Sequence, residues 1–419
     1  MINLLSSFIL LFFTVGLTIF EKRNFNNIIT PFTVIAWPLT VISVIANLIV
    51  VKFGFLPVTV KANLFILINL FLIWLIGVFL YNLFGKPLEM KNYLNGFSNL
   101  KDFRGIIIFF SWIVIFVSLL KVFTILTSQG IDYIATQEYE DQMSRGIAAH
   151  LINIGEVLLI LLVIISDKIK KNWLYYLTIL CLGLSIISVM VKYPIIWTVL
   201  IILFIKNLSK PAKVQIKKFS YIALFVIFVF FLNFAILFSG WGTFSFENKR
   251  MWVLISGWFF NYLFSGPMLL DKWMELAYSK PWWTIFTVFK NFINVVIGNP
   301  ERLNSTYLVS PGFMRVSPDF LSNVGTSFGT YYLIGGFTFT VLATIIFAFF
   351  SYYFYFKSFH SRNKVVIFIN ALFLVMGTLS FFGQYFTLIS FYELTFIYMV
   401  LLGIFEIVLK IKNAKPINA

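Results

Sequence analysis

Residues 62–84 read ANLFILINLFLIWLIGVFLYNLF, twenty-three positions without a charge. A run of that length and polarity crosses the ~30 Å hydrocarbon layer of a bilayer as a single helix. It lacks the alternation of a barrel strand. Working outward, comparable runs lie near 2–19, 28–50, 105–127, 149–165, 173–190, 193–206, 219–239, 327–356, 365–382 and 390–410. The expectation is an all-α polytopic membrane protein of eleven spans, one membrane domain over residues 1–419. Composition agrees: 60% hydrophobic and 11% charged residues exclude an ordinary soluble domain. The first run, Ile2 to Ile19, has no basic leader and no small-residue cleavage site, and reads as a retained span.

Orientation follows from charge. The loops after alternate spans, with the C-terminal tail, hold twenty Lys and Arg, among them Lys22, Arg23, Arg104, Lys218 and Lys364. The short loops on the other side hold four: Lys52, Lys61, Arg145 and Lys192. The positive-inside bias then puts the N-terminus outside and the C-terminus in the cytoplasm of a bacterial inner membrane. The same bias accounts for the net charge of +16, so no nucleic-acid partner is implied. With one cysteine, Cys181, and two histidines, His150 and His360, neither a disulfide framework nor a histidine-built metal site is expected, and no cofactor motif is present.

One outer segment, 240–326, dominates the second half. Its part 251–270 is apolar but interrupted by Gly257, Asn261, Ser265, Gly266 and Pro267, and is expected to be interfacial or re-entrant, the alternative being that it and 281–298 cross and return as two further spans. Its part 281–298 spaces Trp282, Phe286, Phe289, Ile293 and Val296 three or four apart, opposite Thr287, Lys290, Asn291 and Asn294. That is the pattern of an amphipathic helix in the membrane interface.

Seven cations persist in this outer segment against the topological bias. Lys249, Arg250, Arg302 and Arg315, with Lys192 at the preceding outer turn, are the candidates for gripping a phosphate-bearing, lipid-linked substrate. The alternatives are solvated loop charges, lipid head-group contacts and, for Lys192, snorkelling. For acid–base work the candidates are His150 at an outer membrane boundary, Glu156 two turns deeper, and Asp319 in the loop. His150 and Glu156, six apart, do not share a helical face well, and no dyad is expected between them. Glu393 and Gln384 are further residues that would line an outer cavity.

Two motifs carry a resemblance. Asn323-Val324-Gly325-Thr326, with Tyr331 and Gly335-Gly336 leading into a late span, is similar to a segment of the Wzy-type oligosaccharide repeat-unit polymerases; Asn261-Tyr262-Leu263-Phe264-Ser265-Gly266 resembles that family's Tyr-Leu-x-x-Gly segment. Leu333-Ile334 and Lys192 depart from the family's Asp-Phe pair and Arg. The resemblance implies a metal-independent, membrane-embedded glycosyltransferase. It would move a growing glycan from undecaprenyl diphosphate to a sugar hydroxyl on the next lipid-linked unit, building O-antigen, capsule or exopolysaccharide. It also implies glycan contacts from Tyr262, Asn323, Thr326 and Tyr331, and a chain-length regulator and a flippase as pathway partners. The alternatives are an O-antigen ligase and a lipid-linked oligosaccharide flippase or transporter.

Overall fold

The computed structural model describes residues 1–85, 93–143, 146–166, 172–189, 192–208, 210, 212–240, 245, 247–276, 281–299, 311–361 and 363–414. Arg302 lies outside them. The described residues are predominantly helical: α1 (Ile2–Phe25), α2 (Pro31–Leu48), α3 (Val60–Phe84), α4 (Arg104–Gln129), α5 (Gln137–Met143), α6 (Ile147–Ile165), α7 (Trp173–Ile187) and α8 (Lys192–Asn207) come first. There follow α9 (Ala212–Gly240), α10 (Lys249–Glu275), α11 (Thr287–Val296), α12 (Ser327–Ser361), α13 (Lys364–Thr378) and α14 (Ile389–Ala414). A two-residue hairpin, β1 (Met314–Arg315) against β2 (Leu321–Ser322), pairs Met314 with Ser322 and Arg315 with Leu321.

Among the described residues, seven helices are long and apolar enough to cross a membrane: α1, α2, α3, α4 with its lead-in from Asn99, α10, α12, and α14 from Ile389 to Ile411; α6, α7, α8 and α13 are apolar but shorter. Large apolar side chains such as Phe12, Phe79, Phe116 and Phe123 are exposed, an arrangement that lipid tolerates and water does not. The protein is an all-α polytopic membrane protein.

The chain packs as two compact units, one of residues 1–89, 252–361 and 372–389, the other of 90–251, 362–371 and 390–419. In the first unit, polar contacts tie apolar helices together. Thr14 meets Thr40 at 2.8 Å, and Thr344 Oγ1 donates to Asn69 Oδ1 at 2.9 Å. Asn47 Nδ2 donates to Asn3 O, Ser7 Oγ and Val58 O, joining α1 to the entry of α3. Deeper in, the buried Glu21 carboxylate accepts from Thr30 and from Tyr352, and Thr30 also caps α2 in a capping box with Thr33. In the second unit Trp112 Nε1 donates to Thr178 Oγ1 at 3.1 Å and Phe368 stacks on Tyr398 at 3.9 Å.

Two expectations change. First, α10 is not interrupted: it runs as one helix through Gly257, Asn261, Ser265, Gly266 and Pro267. Each of these except Pro267 makes a contact that a larger apolar residue would forbid. The ring of Phe320 covers Gly257, the carbonyl of Phe381 abuts Gly266, Asn261 Nδ2 donates to Leu321 O at 2.9 Å, and Ser322 Oγ donates to Ser265 Oγ at 3.0 Å. Residues that read as breaks are contact points. Gly257 to Trp273 rises ~24 Å along the helix axis. Yet its partners all belong to one end of the unit: Phe53 and Phe55 after α2, Lys61 in the first turn of α3, the hairpin, Gly325 before α12, and Phe381 after α13. α10 therefore lies across that end.

Second, α12 is not one straight span. Gly335 (φ −146°, ψ 23°) and Gly336 (φ 60°, ψ −158°) leave helical geometry and divide it into Ser327–Ile334 and a long second part. Phe328 and Phe347 line the same small cavity, although nineteen residues of straight helix would hold them ~28 Å apart. The first part thus folds back beside the second. Its N-terminus is held by the non-helical link after α13, where Ser327 N donates to Ser380 O at 2.8 Å and Ser327 Oγ to Gly383 O.

Candidate functional site

In the second unit, α6 places His150, Asn153 and Glu156 on successive turns, each step ~4.5 Å deeper. Two other helices complete the ladder. From α14, Glu393 Oε1 lies 2.7 Å from His150 Nδ1, and its Oε2 accepts from Asn153 Nδ2 at 2.8 Å. From α8, Thr198 Oγ1 donates to Glu156 Oε2 at 3.2 Å. Exposure falls steeply along this line. The His150 side chain is 58% exposed, that of Glu393 16%, and Glu156 1%. Glu156 Oε1 has no hydrogen-bond partner among the described residues.

The arrangement has a definite chemistry. A histidine whose Nδ1–H is held by a carboxylate presents Nε2 as its basic nitrogen, and the carboxylate stabilises the imidazolium formed when Nε2 takes a proton. Asn153 occupies the second oxygen of Glu393 and fixes its rotamer. His150 is thereby oriented, reachable and basic at one atom.

A sequence family described as "Family of unknown function (DUF6337)" matches residues 49–412. The chain belongs to the DUF6337 family. No curated protein and no solved structure matches it. The DUF6337 region spans α3 to α14 and so includes every rung of the ladder, while α1 and α2 precede it.

The other candidate residues fall elsewhere. Lys249 and Arg250 are exposed in the first turn of α10. Arg315 is exposed on β1, its carbonyl accepting from Lys272 Nζ at 3.1 Å, and Asp319 is exposed in the turn of the same hairpin. Lys192 is the first residue of α8. Arg302 is outside the described residues. Of the motif residues, Tyr262 stacks on Phe382 at 6.1 Å, Thr326 Oγ1 caps α12 by accepting from Gly329 N at 2.9 Å, Tyr331 is buried and Asn323 half-buried. The two motifs meet at Gly266 and Gly325, and β2 just before the second motif bonds the first, Ser322 to Ser265 and Leu321 to Asn261. They form a packed seam between α10 and the approach to α12, and their burial suits a scaffold. Asn153, Thr198 and the pairing of Glu393 were not read from the sequence. The three-residue spacing from His150 through Asn153 to Glu156 was the available signal.

Proposed function

We propose that the protein is a glycosyltransferase that joins undecaprenyl-diphosphate-linked oligosaccharide units at the outer face of a bacterial inner membrane. The supporting observation is the His150–Glu393 pair. In this reading His150 Nε2 removes the proton of the acceptor sugar hydroxyl as its oxygen bonds to the donor's anomeric carbon. The bond from that carbon to the diphosphate oxygen breaks, and the diphosphate leaves with the electron pair. Lys192, Lys249, Arg250, Arg302 and Arg315 supply the positive field for the departing charge, and Asp319 and Glu156 are the further candidate carboxylates. Eleven spans with the N-terminus outside and the C-terminus in the cytoplasm belong to the same proposal, the end crossed by α10 being the outer one.

The test is glycan length. Deletion of the gene leaves surface glycan capped at a single repeat unit, and wild-type protein but not His150→Ala restores long chains. Long lipid-linked chains accumulating inside the cell indicate a ligase instead. One observation favours a second reading, transport: α12 is broken at Gly335-Gly336 and its first part folds back beside the second, as in discontinuous transporter helices. Chain elongation by purified protein in detergent, where there is nothing to cross, rejects transport as the primary activity.

A further inference from the structure

The turn Trp282–Phe286 and α11 present their faces in the reverse of the order water imposes. The polar stripe points into the protein: Thr284 and Thr287 are 0% exposed and Asn294 6%. The apolar stripe points away: Trp282 is 65% exposed, Phe292 67%, Ile293 55% and Val296 68%. The inward hydroxyls are satisfied locally, Thr284 Oγ1 donating to Pro281 O and Thr287 Oγ1 to Thr284 O. On the outward side the rings of Trp282, Phe286 and Phe289 follow one another, the first pair T-shaped and the second tilted, with centroids 6.3 and 6.5 Å apart. A contiguous exposed strip of this kind is an interaction surface.

Charge identifies its occupant. Between Glu275 and Glu301 the only ionised side chains are Lys280 and Lys290, and Lys290 Nζ sits 3.8 Å from the centre of the Trp283 ring. Tryptophan beside lysine, in a stretch without an acid from 276 to 300, is the chemistry of the boundary between acyl chains and anionic head groups. The same unit carries α1 and α3, whose exposed faces are apolar for the same reason. We infer that the 282–297 strip is embedded in the interfacial layer of a bilayer containing anionic phospholipid, its aromatic side among the acyl chains and Lys290 at the head groups. This rests on the chain being a membrane protein and not on polymer synthesis.

The experiment uses the full chain with Cys181→Ser and a single new cysteine, Phe292→Cys, carrying an environment-sensitive fluorophore. It is reconstituted in phosphatidylcholine vesicles with and without phosphatidylglycerol. Label at Phe292→Cys shows blue-shifted emission and is quenched severalfold more by spin-labelled lipid than by aqueous iodide; label at the exposed Glu247→Cys shows the opposite. Val296→Cys gives a second reading of the strip should Phe292→Cys not fold. Lys290→Gln abolishes the increase in lipid quenching that phosphatidylglycerol brings. Iodide quenching at Phe292→Cys and Val296→Cys, or protection that appears only on adding another protein, overturns the inference. A phosphatidylglycerol effect unchanged in Lys290→Gln overturns its head-group part.

Discussion

His150 and Glu393 stand 243 residues apart in the chain and 2.7 Å apart in space. Together they begin a ladder that leads from the exposed rim of the second unit, at His150, toward the buried Glu156. If His150 is the base for an acceptor hydroxyl, His150→Ala lowers chain elongation by about 10²–10⁴-fold, the usual contribution of a positioned general base. Glu393→Ala, which frees the ring to rotate, follows it downward. Asn153→Ala produces a smaller loss, because Glu393 keeps one of its two partners. Glycan length on gels, with membrane insertion measured separately, reads all three.

Among the described residues, Thr198 alone donates to the Glu156 carboxyl, which is 1% exposed. Thr198→Val keeps the shape and deletes that donor, and costs about 1–3 kcal/mol through the stranded acceptor. Thr198→Ser restores it. Thermal unfolding in detergent separates the two variants, and equal midpoints would remove Thr198 from the ladder.

Gly266 admits no side chain. A Cβ there would come within 2.0 Å of the Phe381 carbonyl oxygen, which belongs to backbone and cannot swing away. Gly266→Ala therefore costs at least the ~1–3 kcal/mol typical of overpacking and lowers the yield of folded protein. Gly183→Ala is the control: nothing lies within 4 Å, and alanine favours a helix interior by roughly 0.5–1 kcal/mol.

Gly336 is constrained by its backbone and not by its surroundings, since no atom lies within 4 Å of the place its Cβ would take. Its φ of 60° with ψ of −158° is open essentially to glycine alone. Gly336→Ala and Gly336→Asn both cost about 1–3 kcal/mol, asparagine giving no rescue because this is not the left-handed helical well. Unfolding midpoints that differ between the two would show that the bend relaxes.

Removing the cations one at a time tests the other half of the proposal. Alanine at Arg250 or Arg302 abolishes elongation and leaves insertion intact, whereas wild-type glycan length from each alanine variant at Lys192, Arg250, Arg302 and Arg315 would refute the phosphate assignment.

Membrane character was legible because an uncharged run of twenty-three residues has few other destinations. Helix continuity was less so. Gly257, Ser265, Gly266 and Pro267 break helices by propensity, and only the ring of Phe320 and the carbonyl of Phe381 show why small residues are wanted there. Gly335-Gly336 misled in the other direction, since hydropathy is blind to a reversal of direction inside an apolar run. At the site, His150 and Glu156 were singled out by residue type and depth. Their carboxylate and hydroxyl partners come from α14 and α8, and no local pattern announces a pairing across 243 positions.

The helix that lies across the end of the first unit bears on how such a protein is mapped. Its supports come both from residues synthesised before it, around Phe53 and Lys61, and from residues synthesised long after, around Phe320, Gly325 and Phe381. A reporter fused just beyond Glu275 would be attached to a nascent chain still missing the later supports, with a greasy 27-residue helix on offer to the insertion machinery. Truncated fusions would then record the orientation of a biosynthetic intermediate, and only tags inserted into the full-length chain would record that of the finished molecule.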